Sequence, residues 1–89
     1  MATLIHPDGN REEVFPQFGD KFTLEELQSF VGGLIEVIPR HPDGRHKGYT
    51  HLCNEEGLIY GLPKNEKASS SVGMTILGNV LKLSNEEWQ

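Results

Sequence analysis

The sequence is poor in cysteine and has no long apolar run. One cysteine among 89 residues cannot form an internal disulfide, which excludes the cross-linked framework of a small secreted domain. No stretch approaches the roughly 18 apolar residues of a membrane-spanning helix. Residues 1–11 also lack the basic start and apolar run of a signal peptide. We therefore expect a cytoplasmic protein that is not bound to a membrane.

Positive charge is also scarce. Eight Lys and Arg residues stand against 13 Asp and Glu residues, and the net charge of −5 has the wrong sign for holding DNA through its phosphates. We expect no general nucleic-acid binding. The length and the hydrophobic content of 36% predict a single globular domain. Because so short a chain buries a modest share of its surface, we also expect a homo-oligomer.

The sequence signatures of catalysis and of metal binding are missing. There is no Gly-x-Gly-x-x-Gly, no phosphate loop ending in Lys-Ser/Thr and no Gly-x-Ser-x-Gly. His41, His46 and His51 are five residues apart, which matches no compact zinc site, and Cys53 stands alone. We predict a protein that is not an enzyme and that holds no metal ion or cofactor. Hydrolysis that depends on a metal or on Cys53 is the alternative.

Turn chemistry predicts most of the strands. The tetrapeptide His-Pro-Asp-Gly occurs at residues 6–9 and again at residues 41–44, and Pro-Asp-Gly is typical of a hairpin tip. A polar loop ending at Gly57 predicts a third hairpin. The predicted pairings are residues 3–6 with 12–15, 34–40 with 47–53, and 50–53 with 58–60. A closing strand is predicted over residues 75–83, with an interruption at Gly78-Asn79.

Two helices are predicted between these strands. Thr23 is the expected N-cap of the main amphipathic helix, with Glu26 completing a capping box and Gly32 ending the helix. Asn65 is the expected cap of a second short helix that ends at Ser69. The predicted fold is an α+β domain with a small, mostly antiparallel sheet built from hairpins. The domain covers residues 1–83 and a polar tail covers residues 84–89.

Positive charge gathers in two short segments. Residues 40–53 carry three basic residues and one acidic residue (+2), whereas residues 1–39 carry two basic and seven acidic residues (−5). The second segment, residues 64–67, lies at the start of the short helix, where the helix dipole also favours an anion. We predict that these segments bind a compact phosphorylated ligand through Arg40, Arg45, His46 and Lys47 and through Lys64, Asn65 and Lys67.

The acidic first half supports an alternative function. In this interpretation the acidic side chains dock on a host defence or DNA-processing enzyme, and the protein is an acidic protein–protein inhibitor. The residues concerned are Asp8, Glu12, Glu13, Asp20, Glu25 and Glu26.

Three stretches, residues 22–39, 53–68 and 76–79, together resemble a family of small proteins of phages and bacterial mobile elements that is described as a domain of unknown function. The resemblance covers Thr3 to Lys82. It implies the context of phage or plasmid accessory genes and no mechanism.

The size of the chain, the order of its elements and the helix that runs into Gly32-Gly33 also resemble phage anti-defence proteins. Those proteins sequester cyclic nucleotide signals, including those of Thoeris and CBASS immunity. The resemblance implies phosphates held by Arg or Lys at a subunit boundary and a base stacked on an aromatic ring. In this sequence we assign that ring to Tyr49 or Tyr60. We therefore predict a phage accessory protein that sequesters a host immune signalling nucleotide in the bacterial cytoplasm without catalysis.

Overall fold

The computed structural model describes residues 2–39 and 48–88. The elements are β1 (Ala2–Ile5), β2 (Arg11–Val14), α1 (Leu24–Val31), β3 (Ile35–Val37), β4 (Tyr49–Asn54), α2 (Glu66–Val72), β5 (Val80–Ser84) and α3 (Asn85–Trp88). Within the described residues, the five strands form one antiparallel sheet in the order β2-β1-β5-β4-β3. The predicted α+β architecture is confirmed.

The first two predicted hairpins pair as expected. In the first, β1 pairs with β2, and the turn closes with a 3.0 Å hydrogen bond from the Gly9 N–H to the His6 carbonyl. Gly9 has a φ of 93°, which a residue without a side chain adopts without strain. In the second, β3 pairs with β4. Its predicted tip at residues 41–44 lies outside the described residues.

The third predicted hairpin is wrong. Residues 58–60 form turns, closed by a 2.9 Å hydrogen bond from the Leu62 N–H to the Gly57 carbonyl. The reason lies in β4, which pairs with β3 along one edge and with β5 along the other and so has no edge left. The closing strand begins after the predicted interruption, at Val80, and in place of the predicted strand over residues 75–77 there is one isolated bridge between Leu77 and Lys64.

The predicted start and end of α1 are confirmed. The Thr23 hydroxyl oxygen accepts the Glu26 N–H at 3.1 Å, and the Glu26 carboxylate accepts the Thr23 N–H at 2.8 Å, which is a complete capping box. Gly32 ends the helix in the left-handed region at φ 81°. Asn65 caps α2 as predicted, and α2 continues three residues beyond Ser69 to Val72.

Each face of the sheet carries its own hydrophobic cluster. Alternation along β5 sends Leu81 and Leu83 to one face and Val80 to the other. The first cluster, which includes α1 residues, contains Ala2, Leu4, Phe22, Leu27, Leu52, Leu81 and Leu83. The second, which includes α2 residues, contains Ile5, Ile38, Cys53, Ala68, Val72, Ile76 and Val80.

Residues 84–88 form regular secondary structure. Ser84 is the last residue of β5, so the boundary predicted after residue 83 falls inside a strand. Residues 85–88 form α3, in which Glu87 is buried and Trp88 packs against the first cluster. Within the described ranges, no helix has the length and apolar character needed to cross a membrane.

Candidate functional site

A row of side chains crosses the sheet on the face that carries the α2 cluster. The strand register pairs Glu13 with Thr3, Thr3 with Lys82, and Lys82 with His51. Because paired residues of antiparallel strands project on the same side, all four side chains lie on one face. Lys82 lies on β5, the middle strand of the sheet, so a cation sits near the centre of this face.

Two further residues complete this part of the surface. The Lys82 Nζ lies 4.6 Å from the centroid of the Tyr49 ring. Arg11 of β2 pairs with Ile5 and therefore projects on the same face, two strands (about 10 Å) from β5 and two residues (about 7 Å) along the strands from the row of Lys82. We refer to Arg11, Tyr49 and Lys82 as the Lys82 surface.

Electrostatics on the Lys82 surface favour an anion. The pKa of Lys82 is lowered first by burial of its ammonium and second by repulsion from Arg11. Both causes disfavour the charged form, and a compact anion placed between the two side chains would offset both. Glu13 stands at the outer end of the row, two strands from Lys82, which is about 10 Å by strand spacing.

Only Tyr49 of the predicted first binding segment can be placed on this surface. Arg40, Arg45, His46 and Lys47 lie outside the described residues. Tyr49 is exposed, and the carbonyl of the preceding Gly48 accepts the Asn85 N–H at 3.1 Å, which ties the start of β4 to α3.

The structure assigns Asn65 to the fold instead of to a ligand. Its side chain is 0% exposed. The amide nitrogen donates to the carbonyl oxygens of Ile5 and Gly78 at 2.9 Å each, and the amide oxygen accepts the Ala68 N–H at 3.1 Å. These three bonds occupy both amide hydrogens and join β1, α2 and the approach to β5.

The two lysines beside Asn65 are exposed and lie away from Lys82. Lys64 forms an ion pair with Glu66 at 3.7 Å. Lys67 lies against the first hairpin tip, where a Cβ at Gly9 would be 3.4 Å from its Cε. Along the first hairpin, Arg11 lies between this tip and the row of paired residues that contains Lys82.

The two predicted stacking tyrosines are separated. Tyr49 begins β4, whereas Tyr60 lies in the turn that follows the other end of the strand at Asn54. Five residue steps of an extended strand span about 17 Å. The two tyrosines therefore lie at opposite ends of β4. Tyr60 shares its turn with Leu58 and Ile59, which are 84% and 77% exposed.

Sequence reasoning missed Lys82 and Arg11. The available signal was the alternation Leu81-Lys82-Leu83, which places a lysine on the opposite face from two buried leucines. What the alternation could not show was which residues of other strands lie beside that lysine.

The structure does not support Cys53 as a nucleophile. Its thiol is buried and donates to the Glu36 carboxylate at an Sγ–Oε1 distance of 3.8 Å. Burial, followed by the charge of Glu36, raises the pKa of Cys53 to about 11, so the thiol stays protonated at neutral pH. In residues 2–39 and 48–88, no group of three or more His, Cys, Asp or Glu side chains is placed to hold a metal ion.

The carboxylates proposed for the acidic inhibitor do not all lie on one surface. Glu12 and Glu13 are adjacent on β2 and project on opposite faces. Glu12 contacts His6 at 3.1 Å. Glu26 accepts backbone N–H groups from Thr23 and Gln17, which lower its pKa despite the opposing effect of desolvation.

Comparisons with known proteins give a family and no activity. Searches of curated proteins and of solved structures returned no match. The sequence matches the family described as domain of unknown function DUF3846 over residues 1–88, which is nearly the whole chain. This protein therefore belongs to the DUF3846 family.

Proposed function

We propose that this protein binds and sequesters a small phosphorylated ligand without catalysis, and that the Lys82 surface is part of the binding site. The observation that carries the proposal is the placement of Lys82 and Arg11 on one face of the sheet, close enough for Arg11 to lower the pKa of Lys82. More specifically, and following the resemblance to anti-defence proteins, we propose that it is a phage accessory protein. Its ligand would then be a host immune signalling nucleotide, which it sequesters in the bacterial cytoplasm.

The chemistry of the Lys82 surface suits a nucleotide. Lysine and arginine donate charge-assisted hydrogen bonds to phosphate oxygens, and a tyrosine ring can stack on a base. Tyr49 is exposed and follows Lys47 by two residues in the sequence. We therefore propose that Arg40, Arg45, His46 and Lys47 supply further contacts to the phosphates, next to Tyr49.

A homo-oligomer is part of this proposal. Leu58, Ile59 and Tyr60 expose three consecutive large apolar side chains, which is unusual for the surface of a monomer. We expect the Leu58→Ser/Ile59→Ser variant to sediment as a smaller species than the parent protein. Equal sedimentation of the two proteins would assign the contact between copies to another surface, and a monomeric parent protein would refute the homo-oligomer.

The experiment is native mass spectrometry and calorimetry with a panel of cyclic dinucleotides and trinucleotides, with inorganic pyrophosphate as a minimal probe. The variants are Lys82→Met and Lys21→Met, which change the net charge by the same amount. Of the two lysines, only Lys82 lies on the sheet face that carries the Lys82 surface. We expect Lys82→Met to weaken binding about tenfold or more, as loss of a charged hydrogen bond does. Lys21→Met should change the affinity less than about twofold, since an exposed charge outside the strands of the sheet is screened by solvent.

Three outcomes would overturn the proposal. The first is that no member of the panel binds. The second is equal weakening by Lys82→Met and Lys21→Met, which would assign binding to net charge alone. The third is recovery of a cleaved nucleotide after denaturation of the complex, because sequestration returns the ligand intact.

A further inference from the structure

Two phenylalanines between β2 and α1 point into solvent. Phe15 and Phe18 are 63% and 71% exposed. The segment that carries them is held at both ends. One oxygen of the Glu26 carboxylate accepts the Gln17 N–H at 2.9 Å while the other caps α1, and the Phe22 N–H donates to the Glu87 carbonyl at 3.4 Å. The fold therefore presents both rings on a segment that is fastened to α1 and α3.

A cleft lies on each side of this segment. The cleft toward α3 has a volume of about 580 Å³ and is lined by Phe15, Asp20 and Glu86, among others. The cleft toward the first turn of α1 has a volume of about 470 Å³ and includes Phe18, Leu24 and Glu25. We refer to these six residues as the Phe15–Phe18 surface. Leu24 is itself exposed, so three apolar side chains flank the two clefts.

The charge of the Phe15–Phe18 surface has one sign. Among the described residues that line the two clefts, every side chain that is charged at neutral pH is a carboxylate. Glu26 and Glu87 accept backbone N–H groups and so serve the fold. Asp20, Glu25 and Glu86 are exposed at the rim. A ligand for this surface therefore needs apolar groups for the rings and positive charge for the rim.

We propose that the Phe15–Phe18 surface binds a protein segment that carries an aliphatic or aromatic side chain next to arginine or lysine. Arginine suits both features, because its guanidinium stacks on an aromatic face and pairs with a carboxylate. A second copy of this chain is the wrong occupant, since a symmetric contact would bring the acidic rims together in a protein of net charge −5. This proposal is independent of the Lys82 surface.

The test selects random twelve-residue peptides on the purified full-length chain and measures the affinity of the selected peptides by fluorescence anisotropy. We expect sequences that combine Arg or Lys with apolar residues. Phe15→Ser/Phe18→Ser should weaken binding about tenfold or more, as truncation of aromatic anchors does. Leu34→Ser/Val37→Ser removes an equal number of exposed apolar side chains elsewhere and should change the affinity less than about twofold.

A second variant tests the charge without altering any apolar contact. Asp20→Asn/Glu25→Gln/Glu86→Gln should weaken binding and reduce its dependence on salt, because all three carboxylates are exposed at the rim. Thermal unfolding of each variant checks that the fold is intact, and the carboxylate variant keeps the test decisive if the phenylalanine variant unfolds.

Several outcomes would overturn the proposal. Selection of no peptide, or of acidic peptides, would contradict the assigned chemistry. Equal weakening by Phe15→Ser/Phe18→Ser and by Leu34→Ser/Val37→Ser would show non-specific apolar binding. Dissociation of an oligomer by Phe15→Ser/Phe18→Ser would make a second copy the occupant. Lys82→Met should leave peptide binding unchanged. A failure of the peptide proposal is therefore distinguishable from a failure of the proposed nucleotide binding.

Discussion

Lys82 places its ammonium nitrogen 4.6 Å from the centroid of the Tyr49 ring, a distance at which a cation is attracted by the face of an aromatic ring. The contact links β5, at the centre of the sheet, with the first residue of β4. Because the attraction acts only on the charged ammonium, it opposes the lowering of the Lys82 pKa by burial. The cation is therefore held in place by a neighbour that can also contact a ligand.

A double-mutant cycle measures this contact. With Lys82→Met and Tyr49→Leu, we expect a coupling free energy of unfolding of about 0.5–1 kcal/mol, the usual strength of a partly exposed cation–π pair. Urea unfolding of the four proteins supplies the measurement. Tyr49→Phe serves as the control because it keeps the ring, and it should retain most of the coupling. Additive effects of the two substitutions would show that the ring does not stabilise the ammonium.

Asn65 should matter for stability. Asn65→Ala removes the cap of α2 and leaves the carbonyls of Ile5 and Gly78 without the bonds that the amide donates. We expect a loss of about 2–4 kcal/mol in the free energy of unfolding, from a lost cap and buried carbonyls. Lys64→Ala, at the exposed neighbouring position, should change it by less than about 0.5 kcal/mol. Equal effects of the two substitutions in urea unfolding would contradict the structural role.

Cys53 should be unreactive in the folded protein. Burial and Glu36 raise the pKa of the thiol to about 11, so little thiolate is present at pH 7.5. We expect a thiol-specific disulfide reagent to modify the folded protein slowly and the urea-unfolded protein at once. Glu36→Gln removes the neighbouring charge and should raise the rate in the folded protein modestly, since burial is the larger cause. Rapid modification of the folded parent protein would contradict the description of this site.

Glu26 should make stability depend on acid. Backbone hydrogen bonds from Thr23 and Gln17 lower its folded-state pKa below 4.5, so the unfolded chain binds the proton more tightly. The stabilisation is complete above pH 4.5 and is lost as the pH falls through the folded-state pKa. Glu26→Gln, which does not titrate, should give a shallower fall in melting temperature below pH 4.5. Glu25→Gln is the control in the same helical turn, and an equal change in its slope would contradict the assignment to Glu26.

The predictions that held concern contacts between residues close in sequence. The capping box of Thr23 and Glu26 spans three residues, and the turn at His6 to Gly9 spans four, so local patterns suffice. The third hairpin failed because pairing of residues 58–60 depended on whether an edge of β4 remained available. That availability was set by β5, which lies far along the chain, and no local pattern reports it.

For the candidate site, the sequence by itself determined the inventory: a scarcity of cations, their concentration near residues 40–53, and an acidic first half. Tertiary structure alone decided which of those groups meet. Antiparallel register brought Arg11, Tyr49 and Lys82 from three strands to one face. Asn65, which the sequence pattern places at an exposed helix start, is buried by its bonds to the backbone of Ile5 and Gly78. The physical reason is that composition and turn chemistry act within a few residues, whereas a site on a sheet depends on pairings between distant strands.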